Sequence, residues 1–327
     1  MKLGNKILLI GDMHGNFAHL QSLAAFAKEL KVTSCVMLGD SLWTHWFDEK
    51  YHSEMQSSGV PWYIIDGNHD NLCMNAEAFQ STEPYRLSDG VYYVPRGYVH
   101  FENDTRYVFI GGANSIDKDF RTEFFDWWPN EAPSQKVLWE VAQLGKFDDG
   151  ETIVFSHDTP ENPVIYSESL ILDGNFYTMS NNLRYVLNAS KNLRQELGFI
   201  AKDLGANRWF HGHWHKRYTS HVLENPETEV IGLDMTSDWA TFSYISSRNV
   251  RDRMKSHLPP PSSPLSQTPS TIFFFLTSLS QFSPLHTHTF LDFTNLFCVD
   301  IRIRSDQKTD TLTVAFPYGI VKRSLST

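Results

Sequence analysis

Cysteine is scarce in this sequence of 327 residues, and its three cysteines, Cys35, Cys73 and Cys298, lie far apart. An odd number of cysteines at such spacings forms neither a disulfide framework nor the paired thiolates of a zinc site. Structural disulfides belong to oxidising compartments, so their expected absence favours a reducing one. We therefore expect a cytoplasmic protein.

Long hydrophobic runs are also lacking. The longest, such as residues 272–276, are far shorter than the about 20 apolar residues of a membrane-spanning helix. Lys2 followed by the apolar residues 7–10 imitates the start of a signal peptide, but that run stops at Gly11, too early for a signal. The sequence therefore predicts a buried first strand and no membrane partner.

Basic residues are outnumbered, with 28 Lys and Arg against 38 Asp and Glu and a formal net charge of −10. This balance argues against a broad nucleic-acid-binding surface. Residues 251–327 carry 8 basic and 5 acidic residues, which leaves 20 against 33, a net −13, in the first 250. The acidity therefore belongs to the front of the chain.

Residues 256–297 differ in kind, because 28 of these 42 residues are Ser, Leu, Pro or Phe. Such low complexity provides no regular apolar period, so we predict a domain at 1–246 and a poorly ordered tail at 247–327. Segments 299–304 and 311–316 suggest a terminal hairpin. The four abundant residue types can be encoded by pyrimidines alone, which favours translated non-coding or frame-shifted sequence; a Ser/Pro-rich linker is the alternative. An uninterrupted reading frame in the mature transcript would contradict the first hypothesis.

Short β-rich runs alternate with helical patterns through the first 246 residues, which is typical of an α/β domain. The expected strands are 6–10, 34–38, 61–65, 107–110, 152–155, 208–210, 229–233 and 240–245. The expected helices are 19–30, 134–144 and 182–204. Residues 91–110 indicate antiparallel strands with turns near Gly97 and at 102–105.

Potential metal ligands follow five of these strands. They lie in the sequences Gly11-Asp12-Met13-His14-Gly15, Gly39-Asp40, Gly67-Asn68-His69-Asp70, Ser156-His157-Asp158 and His211-Gly212-His213-Trp214-His215. Open α/β sheets gather ligand groups at the carboxyl ends of their strands. Carboxylate, amide and imidazole ligands together suit divalent Mn, Fe or Zn.

The two-residue spacings have a physical interpretation. An extended backbone would point Asp12 and His14 to the same side, and likewise His213 and His215. Taken singly, these residues are better explained as structural, with Asp12 a turn residue, Asp40 a helix N-cap and His157 a core histidine. The five motifs together favour a metal centre.

This set resembles the calcineurin-like metallophosphoesterase superfamily, over about residues 6–246, and its small bacterial and phage members in the segment from Gly111 to Glu131. The resemblance implies a four-layer α/β/β/α sandwich and two metal ions, with manganese expected to serve in vitro. It implies that Asp12, His14 and His215 hold the first ion and that Asp40 bridges both. The second ion would be completed by three residues, namely Asn68, His157 and His213.

The implied activity is hydrolysis of a small phosphate mono- or diester by water activated between the two ions. His69 would be the catalytic proton donor or charge stabiliser. The alternatives are a nuclease or cyclic-nucleotide phosphodiesterase on the same scaffold, and a non-catalytic metal-binding interaction scaffold.

One departure concerns the second motif, which many phosphomonoesterases of the superfamily continue as GDxxDRG. Here Asp40 is followed by Ser41-Leu42-Trp43-Thr44-His45, without the acid or the arginine. Asp70 or His45 are the candidates to orient His69 instead. Arg121 is a candidate phosphate ligand, because its forked guanidinium suits phosphate, or else a partner of Asp117 or Asp119.

Overall fold

A computed structural model describes residues 1–42, 45–46, 48–71, 76–167, 181–235, 242–246, 302–306, 309–316 and 319–324. The chain divides into two compact units, one of 1–247 with 298–327 and one of 248–297. The second unit, which contains the whole low-complexity stretch 256–297, lies outside the described residues.

The first unit alternates strands and helices from its first residues. The strands are β1 Lys6–Ile10, β2 Ser34–Leu38, β3 Trp62–Ile65, β4 Tyr85–Ser88, β5 Val91–Tyr93, β6 Val99–Glu102, β7 Thr105–Ile110, β8 Glu151–Ser156, β9 Arg208–His211, β10 Tyr218–His221, β11 Glu229–Gly232 and β12 Phe242–Ser246. The helices are α1 Phe17–Leu30, α2 Glu49–Ser57, α3 Ala76–Gln80, α4 Gln135–Ala142 and α5 Asn181–Leu204. The strands and the three helices predicted from the sequence are confirmed, with ends that move by zero to two residues.

The strands form two six-stranded sheets with the same plan. The first sheet runs β12-β1-β2-β3-β5-β4 and the second β10-β11-β9-β8-β7-β6. In each sheet four parallel strands lie between two antiparallel edge strands. The carboxyl ends of the parallel strands therefore lie together at one edge of each sheet.

Alternate residues of β1 show why the molecule has four layers. Leu8 and Ile10 pack with the buried face of α1, whereas Ile7 and Leu9 pack against the second sheet. The outer face of the second sheet is covered in turn by the apolar side of α4 and α5. Both sheets are thus buried on both faces, which explains their nearly continuous apolar sequences. The predicted α/β/β/α sandwich is confirmed.

The segment from 91 to 110 differs from the expected antiparallel run. The turn between β6 and β7 is present, but β5 pairs in parallel with β3 in the first sheet. Residues 94–98 therefore carry the chain from one sheet to the other. Alternating polarity could not reveal this, because alternation marks a strand without indicating which sheet the strand joins.

Near its end the chain forms a three-stranded antiparallel sheet of β13 Arg302–Asp306, β14 Thr309–Phe316 and β15 Gly319–Ser324. The segments of the expected hairpin fall on β13 and β14, although 299–301 lie outside the described residues. The tail boundary at 246 and the poor order of the tail stay predictions. Among the helices described, none has the length and apolar character that crossing a membrane requires.

Candidate metal centre

The five predicted motifs meet where the carboxyl ends of the parallel strands in the two sheets face each other. Parallel pairing aligns Ile10 with Met37 in the first sheet and Ser156 with His211 in the second. Hydrogen bonds then join the loops. At the edge of the first sheet, the backbone N–H of His14 donates to Asp40 O at 2.6 Å. The backbone N–H of His213 donates to Asp12 Oδ1 at 2.9 Å.

One set of ligand atoms comprises Asp12, His14 and His215, which we call the outer group. Their ligand atoms all lie within 4.8 Å of one another. His215 Nε2 is 2.9 Å from Asp12 Oδ2 and 3.1 Å from His14 Nε2. The carboxylate is completely buried, whereas the His215 and His14 side chains are 38% and 19% exposed. The outer group therefore faces solvent through its two imidazoles.

A second set comprises Asp40, Asn68 and His157, which we call the inner group. His157 Nε2 lies 3.4 Å from Asp40 Oδ2 and 2.9 Å from Asn68 Oδ1, and all three side chains are buried. Asp12 is within 4.8 Å of the ligand atoms of Asp40 and His157, so the two groups adjoin. The His213 ring lies beside that of His157, tilted by 55° relative to it, with centroids 5.0 Å apart.

Left-handed backbone, rather than extended backbone, aims several of these side chains. Of the seven non-glycine residues with positive φ in the described part of the chain, four are predicted ligands, namely His14, Asp40, His213 and His215. The expected alternation of extended residues is therefore wrong for both two-residue spacings. Strained backbone of this kind is concentrated at functional sites, where the surrounding structure holds it in place.

Two glycines allow the backbone to approach the carboxylates closely. A Cβ on Gly67 would lie 2.1 Å from Asp40 Oδ1, and a Cβ on Gly212 would lie 2.1 Å from Asp12 Oδ1. Any larger residue would displace a carboxylate oxygen. The two aspartates therefore require glycine at positions 67 and 212.

Charge is unusually concentrated in the inner group. Burial alone would raise the pKa of Asp40, but the adjacent His157 outweighs it and holds that pKa below its usual range. Burial alone would lower the pKa of His157, but Asp40 raises it to about 10. A positive charge is therefore required here, either a proton on His157 or a bound cation. Burial and His157 hold the pKa of His213 well below its ordinary value, so His213 is neutral, the form that ligates metal.

His69 lies beside the inner group rather than within it. Its Nε2 is 3.9 Å from Asp40 Oδ2 and 3.3 Å from Nη2 of Arg121. Asp117 holds that guanidinium with two hydrogen bonds, 2.8 Å to Nε and 2.6 Å to Nη2. Burial lowers the pKa of His69, and Arg121 lowers it further. The alternative in which Arg121 pairs with Asp117 is thus observed, and its role as a phosphate ligand stays a prediction.

The two candidates for orienting His69 form other contacts. Asp70 Oδ2 accepts from the backbone N–H of Gly67 at 2.8 Å and of Ser41 at 3.4 Å, so it shapes the loop. His45 stacks on Tyr51, with ring centroids 4.7 Å apart. Arg121, which Asp117 holds in place, contacts the His69 ring instead.

Hydrogen bonds behind the inner group were not foreseen from the sequence. Asn68 Nδ2 donates to Ser115 Oγ at 2.9 Å, and Ser115 Oγ donates to Glu131 Oε2 at 2.5 Å. On the other side, His157 Nδ1 donates to Leu38 O at 2.7 Å. These bonds point Asn68 Oδ1 and His157 Nε2 toward the site, as supporting hydrogen bonds do for metal ligands. In the sequence, the positions of Ser115 and Glu131 on either side of Arg121 were the only sign of their role behind Asn68.

These residues fit divalent metal ions. Ligands that share one first-row ion at about 2.0–2.2 Å are themselves about 3 Å apart, the separation observed between His14 and His215. Carboxylate oxygens, an amide oxygen and neutral imidazoles form a donor set for Mn, Fe or Zn. Two adjoining groups can therefore hold two ions.

The two-sheet sandwich with this centre defines a metallophosphoesterase. The sequence profile of the calcineurin-like phosphoesterases matches residues 5–217, and the chain belongs to that family. Membership makes it, in general terms, a metal-binding hydrolase of phosphoesters. No curated protein sequence matches the chain.

Several solved structures are similar to this chain at low identity. A protein of Thermus thermophilus is 12% identical with a TM-score of 0.42, covering 75% of this chain and 100% of that one. A dimetal phosphatase from Danio rerio is 12% identical with a TM-score of 0.47, covering 74% and 92%. These likenesses concern the fold alone.

Proposed function

We propose that the chain hydrolyses small phosphate mono- or diesters with two divalent metal ions at the centre described above. The observation that supports this most is the convergence of seven potential ligands from five strand ends. The outer group would hold one ion. Asn68, His157 and His213 would hold the other, with Asp40 between them. Manganese is the ion we expect to serve in vitro.

When bound, such a pair of ions polarises phosphoryl oxygens and makes a hydroxide nucleophile available near neutral pH. The residues of the chain have separate tasks. Asp12 and Asp40 supply the negative charge that fixes the cations. Arg121, held by Asp117, presents its remaining donors to a phosphoryl oxygen, for which a guanidinium fork is suited.

We assign His69 to the leaving oxygen, where its protonated ring would stabilise negative charge or deliver a proton. Its place beside Arg121 and Asp40 puts it within reach of a phosphoryl group bound at Arg121. General acid catalysis of this kind contributes about 10²–10⁴-fold. His69→Ala should therefore lower kcat by about that factor while Mn²⁺ binding is kept. His221→Ala, in β10 and exposed, is the matched control.

The test compares hydrolysis of p-nitrophenyl phosphate and bis-p-nitrophenyl phosphate by the full chain, with Mn²⁺ and then with chelator. Mn²⁺-dependent hydrolysis of either ester supports the proposal. Activity on the bis-ester alone would favour the phosphodiesterase or nuclease alternative. No hydrolysis of either by Mn²⁺-loaded protein would contradict it and favour a non-catalytic scaffold.

A further inference from the structure

Trp214 lies between two proposed ligands, His213 and His215, and both neighbours have left-handed backbone, with φ of 65° and 46°. Its own backbone N–H donates to Gly212 O at 2.7 Å, which tightens the turn. Such a turn persists only where the surrounding structure holds it. The contacts of the Trp214 side chain identify what holds this turn.

The indole N–H of Trp214 is bound by a buried carboxylate. Nε1 donates to Asp158 Oδ1 at 2.9 Å, and the same oxygen accepts the backbone N–H of Thr159 at 2.8 Å. Asp158 is 1% exposed and directly follows His157 at the end of β8. One carboxylate therefore ties the turn that bears His213 and His215 to the strand end that bears His157.

The face of the indole is held from α5. The guanidinium carbon of Arg194 lies 5.0 Å from the centroid of the Trp214 ring, a cation–π distance. Arg194 is itself fixed, with Nε donating to Glu161 Oε2 and Nη1 to Ser190 Oγ, both at 2.8 Å. Arg194 is 1% exposed, so its geometry is set by these partners rather than by solvent.

Stability alone does not account for this cluster. Asp158 Oδ2 and Glu161 Oε1 are buried without a hydrogen-bond partner among the residues that the structure describes. A buried carboxylate oxygen without a hydrogen-bond partner destabilises the fold, so its presence calls for an explanation other than stability. Holding a strained ligand-bearing turn in one geometry is such an explanation.

We propose that Trp214, Asp158 and Arg194 form a brace that positions His213 and His215 for metal binding. None of the three is a ligand, so they are positioning residues. The inference rests on the proposed function to the extent that the two histidines hold metal.

The test measures Mn²⁺ affinity, with no substrate present, by titrating metal-stripped full chain against a competing chelator. Trp214→Phe keeps the ring over Arg194 but removes the N–H. We expect Mn²⁺ binding to weaken about 10- to 100-fold, the usual effect of losing a supporting hydrogen bond. Asp158→Asn keeps an oxygen acceptor and should retain affinity within about threefold, whereas Asp158→Ala should match Trp214→Phe.

Trp62→Phe is the matched control, because the buried Trp62 loses an equivalent indole bond, 2.9 Å to Ser58 Oγ, far along the chain from His213 and His215. It should lower Tm without changing Mn²⁺ affinity. Equal Mn²⁺ affinity in Trp214→Phe and wild type, or an equal loss in Trp62→Phe, would overturn the brace. If the wild-type chain itself bound no Mn²⁺, the proposed function would fail instead, so the two failures are distinguishable.

Discussion

The inner and outer groups of the candidate metal centre each contain a carboxylate and at least one imidazole but are held very differently. Asp40 and His157 of the inner group are 1% and 0% exposed, whereas His215 of the outer group is 38% exposed. Burial makes a fixed arrangement of charge both stronger and more costly to leave unpaired. The inner group is therefore a rigid part of the fold, and the outer group is its open side.

Hydrogen bonds accentuate the difference. Asn68 donates a hydrogen bond to Ser115, and His157 donates one to Leu38 O, both on the side away from the site. The geometry of these two ligands is therefore set before any ion binds. In the outer group, the contacts of His14 and His215 that we describe are mainly with each other and with Asp12. We therefore expect the inner group to bind Mn²⁺ more tightly and the outer group to exchange it more readily.

Removing the carboxylate that we propose to lie between the two ions should have the largest effect. Asp40→Asn takes away the charge that we propose fixes both ions and is expected to lower kcat/KM about 10³-fold or more, since metal ions supply several kcal/mol of transition-state stabilisation. Hydrolysis of p-nitrophenyl phosphate with Mn²⁺ measures this. Asp89→Asn, the same change at an 88% exposed site, should leave the activity unchanged. An active Asp40→Asn enzyme would remove the reason for treating the two groups as one centre.

The comparison of the two groups predicts that their variants lose unequal amounts of stability when a chelator has removed the metal. His157→Ala leaves the buried Asp40 without its charged partner and should lower the free energy of unfolding by about 3–5 kcal/mol. His215→Ala, at the open side, should change it by about 1 kcal/mol or less. Urea unfolding of both variants measures the difference. Equal losses would show that the inner group is no more embedded than the outer one.

A smaller effect is expected from the hydrogen bonds behind the inner group. Ser115→Ala removes the acceptor of Asn68 Nδ2 and should weaken the tighter class of Mn²⁺ binding about tenfold, with the weaker class unchanged. Ser22→Ala, an exposed helical serine in α1, is the control. A change confined to the weaker class would reverse the assignment of the two groups.

The smallest effect concerns the substrate side. Arg121→Lys keeps the charge but loses the fork that binds Asp117 and should raise KM about fivefold, with little change in Mn²⁺ affinity. Steady-state kinetics with p-nitrophenyl phosphate measures the split between KM and kcat. An unchanged KM would mean that Arg121 acts only on His69.

Much of this was predictable from the sequence. The bounds of β1 and β2 follow from continuous apolar runs ended by Gly11 and Gly39, and ligand residues placed directly after strands predict a shared site. The left-handed geometry of His14 and His213 was not predictable, because it is imposed by contacts with loops distant in sequence. The same holds for the Arg121 contact with His69 and the Ser115 bond to Asn68, which join residues 52 and 47 positions apart.

The most direct test is a titration of metal-stripped full chain with Mn²⁺, with bound metal and hydrolysis of both p-nitrophenyl esters followed together. We expect two equivalents to bind, the first more tightly, and hydrolysis to appear as the second is taken up. Full hydrolysis by the metal-stripped protein, or full hydrolysis with a single equivalent bound, would contradict a two-ion centre.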